Sequence, residues 1–377
     1  MQPPIPSVVA PVTRPPLTRR GLLRGAAGTA LASPVLMCSR PAQAAGFVSI
    51  MAYAGLIPPA FTAQFEAETG IEIRLRPMFS QAPELNLLIA ERPRPSSDIC
   101  TVGGHRLPQF VNAAVIEPVD THRLKNWQRI DPLYTDAAWL RVDGDTLGVP
   151  LTLSCERLVY NTRKVLPAPD SWGVMFDPKF RGKTTYVIED FLQCTMLYQG
   201  ADGGFASYLE QPAKAREAVD AARNLLIANK RQVVKYYEDG AELVQLLAGE
   251  DAYLAQFYSG APTKLVLDGQ PFRFAVPREG SLGSVYTFSI VKNAPNRDNA
   301  YRFLDALLAY PDVGAAMTRA SGYPSTFLGA DAALTDLEKQ AFLLTPQDRQ
   351  RIQIRRYEGQ ALNSALIDQA VEEVKAA

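Results

Sequence analysis

The chemistry open to this chain is limited first by its histidines: only His105 and His122 occur in 377 residues. Imidazole is the commonest metal ligand and the usual general base near neutral pH. Histidine-built metal centres and Ser-His-Asp triads therefore have almost nothing to draw on. No GxSxG elbow, HExxH, GxxxxGK(S/T) or GxGxxG run is present. The acid pairs Glu189-Asp190 and Glu372-Glu373 are neighbours in sequence. Such neighbours point in different directions on a helix or strand, so neither pair reads as an acid/base couple. Cys38, Cys100, Cys155 and Cys194 are too widely spaced for a zinc knuckle or a redox CxxC. The last three read as buried small hydrophobes, with one disulfide plus a free thiol as the alternative. The balance points to binding without catalysis, metal or cofactor.

The elements that must position a binding site read as alternating strands and helices. Phe47 to Tyr53 is a first strand, broken by Gly55 and Pro58-Pro59. A helix follows over Phe61–Thr69, with Phe61 and Phe65 four apart on one face, and Gly70 stops it. Residues 71–76 alternate like a half-buried strand. A short helix spans Glu84 to Glu91, and Asp98–Val102 is another strand, closed by Gly103-Gly104. Further strands are read at 158–160, 183–188, 252–257 and 287–291, with helices at 213–228, 240–247 and 298–308 and a mostly helical end from Thr335. This order implies βαβ units and a mostly parallel sheet. The length suggests two domains, and without a Gly/Ser linker the chain must pass between them along structured strands. Trp127, Trp139 and Trp172 read as packing residues.

Charge is unevenly placed. Residues 1–44 hold five arginines and no acid, leaving 34 basic against 39 acidic residues in the remainder. A mildly acidic body argues against nucleic acid. Arg19-Arg20 precedes a soft apolar stretch from Gly25 to about Met37, and Ala42-Gln43-Ala44 supplies a small-x-small cleavage site. That order reads as a twin-arginine signal peptide over 1–44, expected to be removed on export to the periplasm.

The ordered landmarks after the leader are more specific. They are Phe65-Glu66-Ala67-Glu68-Thr69-Gly70-Ile71, the run from Phe110 to Asp120 with Leu124-Lys125-Asn126, Gly148-Val149-Pro150, and Val159-Tyr160-Asn161-Thr162. Then come Pro169-Asp170-Ser171-Trp172, the run from Phe176 to Lys183, Asn293-Ala294-Pro295-Asn296, and Ser321-Gly322-Tyr323-Pro324-Ser325-Thr326. Together, over roughly 47–365, the chain resembles the periplasmic solute-binding proteins of ABC transporters, in the spermidine/putrescine-binding branch. The resemblance implies an α/β, two-lobed type II periplasmic binding protein fold. Each lobe would be a mostly parallel sheet flanked by helices, with the ligand cleft at the hinge. Lobe 1 is expected over 46–153 plus 287–332 and lobe 2 over 154–286 plus 333–377. It implies a monomeric receptor that hands a small organic cation or zwitterion, polyamine-like, to permease subunits in the inner membrane. Ferric iron or an organophosphonate is the alternative ligand, and an exported enzyme on the same scaffold the alternative class.

Matched positions give the expected cleft: Tyr53, His105, Asp190, Gln193, Tyr258, Tyr286, Tyr323 and Glu358. Gly55, Gln193 and Tyr286 stand where the family places acids. Aromatic faces suit methylenes and attract an ammonium by roughly 0.5–2 kcal/mol. With fewer carboxylates, a dication would be poorly compensated in a closed cleft. Tyr236-Tyr237 resembles the paired tyrosines of ferric-iron receptors.

Overall fold

Phe47–Ala52 carries FVSIMA, apolar on both faces, and it forms β1 in the interior of a sheet, with every residue after Phe47 buried. The structure, a computed structural model, describes residues 46–377 apart from Phe79, Ser259 and Pro311; the arginine-containing leader of 1–44 lies outside the described residues. In chain order the other strands are β2 (Glu72–Pro77), β3 (Ile99–Gly103), β4 (Ile116–Glu117), β5 (Arg141–Val142), β6 (Asp145–Thr146) and β7 (Val149–Cys155). They continue as β8 (Arg157–Asn161), β9 (Thr184–Tyr186), β10 (Val233–Tyr236), β11 (Leu254–Phe257), β12 (Phe272–Ala275), β13 (Ser281–Val291) and β14 (Ile352–Ile354).

These strands build two main sheets. The first runs β14-β13-β3-β1-β2, with β4 and β7 also paired to β13; the second runs β10-β9-β11-β8-β12; β5 and β6 form a small ribbon. Both sheets are mixed rather than mostly parallel as expected, because the strands on either side of each sheet change pair antiparallel. β1 is parallel to β2 and β3, and β14 to β13, whereas β13 runs antiparallel to β3, β4 and β7. In the second sheet β9 is parallel to β10 and β11, while β8 is antiparallel to β11 and β12. The antiparallel pairs arise where the chain changes sheets. β7 leaves the first sheet and becomes β8 of the second with Glu156 as the sole residue between, and the chain returns between β12 and β13.

Local signals explain the elements. The helix Pro59–Thr69 has proline in its first turn, where the missing N–H costs nothing, and ends at Gly70 in the left-handed region, φ 68°. It buries Phe61 and Phe65, whose rings lie 5.6 and 5.7 Å from Phe303 of the helix Arg297–Ala309. The second sheet is covered by the helices Ile188–Tyr198 and Pro212–Ala228 and by the C-terminal helix Ser364–Ala376, whose Ile367, Ala370 and Val374 join one core with Trp172 and Phe191. Cys100, Cys155 and Cys194 are buried and unpaired. No helix among the described residues is long and apolar enough to cross a membrane.

Candidate functional site

The C-terminal ends of β1 and β3, the middle of β13 and the loop after β11 converge on a group of tyrosines. Tyr53 follows β1 and meets Tyr286 of β13 edge-on, ring centroids 5.3 Å apart. Tyr286 lies 6.3 Å from Tyr323 and its hydroxyl is 3.2 Å from that of Tyr258. Tyr258 comes from the second sheet and the other three from first-sheet elements, so this contact spans the two. All four rings are half-buried. A cavity of about 200 Å³ is lined by Tyr53, Tyr286, Tyr323, Leu56 and Ser321 among others. Burial raises the hydroxyl pKa of each tyrosine above the ordinary phenol value, which keeps them neutral hydrogen-bonding groups.

Beside the tyrosines lies a buried charge cluster. Arg355, just after β14, donates to Glu156 at 2.7 Å and to Asp190 at 3.1 Å. Its backbone N–H is held by the Gly283 carbonyl of β13, and its guanidinium sits 5.9 Å from the Tyr258 ring centre. Glu156 is fully buried on the single-residue link between the sheets, and also accepts from the Gln256 amide of β11. Burial, then the nearby Asp190 charge, pushes its carboxyl above the usual range, opposed by Arg355. Asp190 stands in the first turn of the helix Ile188–Tyr198, where an acid is favoured by the backbone N–H groups.

The other expected residues fall nearby with different partners. His105 bonds Ser284 of β13 through Nδ1 at 2.8 Å, and burial, then Arg355 and Arg106, lowers its pKa to about 3, so the ring is neutral. Gln193 is buried and accepts from Gln360 at 3.1 Å. Glu358 sits in the first turn of the helix Tyr357–Leu362, half-buried, and makes no hydrogen bond or ion pair to the rest of the group. Gly55 has φ +85°, and a Cβ there would stand 2.9 Å from the Ala320 carbonyl carbon. No acid could be carried at that place without moving the backbone. Tyr236 packs on Tyr186, and the Tyr237 hydroxyl donates to the Gln256 carbonyl, so this pair serves the second sheet. Among the described residues no three His, Cys, Asp or Glu side chains are arranged to hold a metal ion.

Sequence reasoning missed Arg355, Glu156, Gln256 and Ser284. The signal for Glu156 was available: Glu156-Arg157 interrupts the otherwise uncharged run from Leu151 to Tyr160. Arg355 lies in an arginine-rich tail segment that reads as solvated surface.

The sequence signature of the bacterial extracellular solute-binding proteins matches residues 60–341. The chain belongs to that family. Relatives include a putrescine/agmatine-binding protein of Pseudomonas aeruginosa, 25% identical over 301 residues, covering 75% of this chain and 78% of that one. The putrescine-binding periplasmic protein PotF of Escherichia coli is 25% identical over 276 residues, covering 68% and 71%. Among solved structures, the spermidine/putrescine ABC transporter substrate-binding protein PotD of Streptococcus pneumoniae superposes with a TM-score of 0.75 at 17% identity, over 87% of this chain and 99% of that one. This solute-binding protein thus has the two-lobed fold that the resemblance implied, and its tyrosine group lies where elements of the two sheets meet.

Proposed function

We propose that the chain is the extracytoplasmic receptor of an ABC importer. It takes a small organic cation or zwitterion, polyamine-like, between its lobes and delivers it as a monomer to inner-membrane permease subunits, without transforming it. The observation that carries the reading is the cavity lined by Tyr53, Tyr286 and Tyr323 of the first sheet, with the hydroxyl of Tyr258 from the second sheet against that of Tyr286. Neutral phenol rings offer faces that attract an ammonium and pack on methylenes. The names of the Pseudomonas and Escherichia relatives point the same way. The lobes would follow the sheets, with the chain crossing at Glu156, between β12 and β13, and again between β14 and the C-terminal helix. Arg19-Arg20, the soft apolar stretch after it and Ala42-Gln43-Ala44 support twin-arginine export to the periplasm. Two observations weigh against the anionic and ferric alternatives. Arg355 is already shared by two carboxylates, and the Tyr237 hydroxyl is bonded to backbone.

A thermal-shift panel of polyamines, monoamines, amino acids, phosphonates and ferric citrate tests this. A ligand at 100 times its Kd should stabilise the folded state by about 2.7 kcal/mol, read as a rise in melting temperature. An organic cation should give that rise. A rise with phosphonate or ferric citrate alone would sink the reading.

A further inference from the structure

The reading above leaves the ligand's shape and charge open, and the cleft's own charge distribution narrows both. Arg355 is shared between Glu156, which is fully buried, and Asp190, which is the partly exposed one of the two. Asp190 uses Oδ1 on Arg355 and keeps a side chain 25% exposed, so its other oxygen remains reachable. The adjacent Glu189 is exposed and lies near Asp368 of the C-terminal helix. Asp190 is therefore the one carboxylate of this cluster that can reach an ammonium in the cleft.

The other end is different. Tyr53 and Ala54 are walls shared between the tyrosine cavity and a second cavity of about 430 Å³ at the ends of β1 and β2. Ile57, Leu75, Pro77 and Met78 line that pouch, and no charged side chain does. The charged side chains that act on Tyr53 are of both signs, Glu84 and Arg106. An ammonium placed in the pouch would lose part of its water without meeting a carboxylate on the pouch wall, whereas methylenes or a ring would gain by leaving water.

We propose that the cleft selects an amine with a single positive charge and an uncharged apolar tail. The ammonium lies at the Tyr258–Asp190 end, and the tail passes Tyr53 into the pouch of Ile57, Leu75, Pro77 and Met78. This rests on the organic-cation reading and specifies it.

Isothermal titration with hexylamine and 1,6-diaminohexane isolates the second charge, since the two differ only at the far end. Hexylamine should bind the purified protein at least about 10-fold more tightly, because the diamine must bury an unpaired ammonium. Leu75→Asp places a carboxylate at the pouch on a side chain already 50% exposed, so the fold should tolerate it. The variant should move the ratio by about 10-fold toward the diamine. Equal or tighter diamine binding to the unaltered protein would overturn the inference while leaving the organic-cation reading intact. So would an unchanged ratio in the variant. Binding of neither amine, with no other organic cation raising the melting temperature, would overturn both.

Discussion

Replacing Arg355 by methionine should lower the free energy of unfolding by about 3–5 kcal/mol, because it strands two carboxylates in a site without a cation. Glu156 is fully buried and Asp190 is its neighbour in the cluster. Without Arg355 both would hold their protons more strongly than in the unfolded chain. A carboxyl whose folded pKa is raised contributes stability below its unfolded pKa and loses it as pH rises through the folded value. The deficit of the variant should therefore be larger at pH 8 than at pH 5. Denaturant unfolding at the two pH values reads this directly. Adding Glu156→Gln to Arg355→Met should recover part of the loss, since the remaining acid is then single. A deficit below about 1 kcal/mol at both pH values would mean that the cluster does not hold the crossing strands together.

Gly260→Val should weaken ligand binding by about 10–100-fold while leaving the unliganded protein nearly as stable. Gly260 follows β11 of the second sheet, and Gly322 caps the helix Val313–Ser321 beside the first. A Cβ on Gly260 would stand 2.7 Å from the Gly322 Cα and 2.9 Å from the Ser321 carbonyl oxygen. Those are backbone atoms, which cannot rotate aside. Overpacking of this kind costs about 1–3 kcal/mol, here only when the lobes are together, because an opened hinge relieves it. The cost then falls on ligand affinity. Titration of the variant with hexylamine, beside its melting temperature without ligand, separates the two effects. Unchanged affinity would show that the Gly260–Gly322 contact plays no part in closure.

Much of the scaffold was legible in the sequence because its periods are strong. The helix expected over Phe61–Thr69 is found at Pro59–Thr69, that over 213–228 at Pro212–Ala228, and that over 298–308 at Arg297–Ala309. The helix Ile188–Tyr198 was not read. Its first residues continue the apolar run of β9, and the acidic pair Glu189-Asp190, which caps the run on a strand reading, is in fact the helix's first turn. β13 was expected only over Thr287–Val291. It begins at Ser281, because Gly283 and Ser284 lower the strand signal although they pair with β7. At the site, the family resemblance named the tyrosines, since Tyr53, Tyr258, Tyr286 and Tyr323 stand at positions matched to its cleft. Arg355 could not be found that way. Its role depends on Glu156 and Asp190, 199 and 165 residues away, and nothing local distinguishes it from the arginines around it. The same distance explains why the internal partner of Asp190, expected only as a cleft residue, was not read.

Native mass spectrometry of the purified protein against an equimolar mixture of hexylamine, putrescine, glutamate, 2-aminoethylphosphonate and ferric citrate tests the central claim most directly. The tyrosine-lined cleft should yield a 1:1 complex with an amine, hexylamine ahead of putrescine, and the amine should be recovered unchanged on denaturation. A complex with phosphonate or iron alone, or an amine recovered chemically altered, would contradict a receptor for small organic cations or zwitterions.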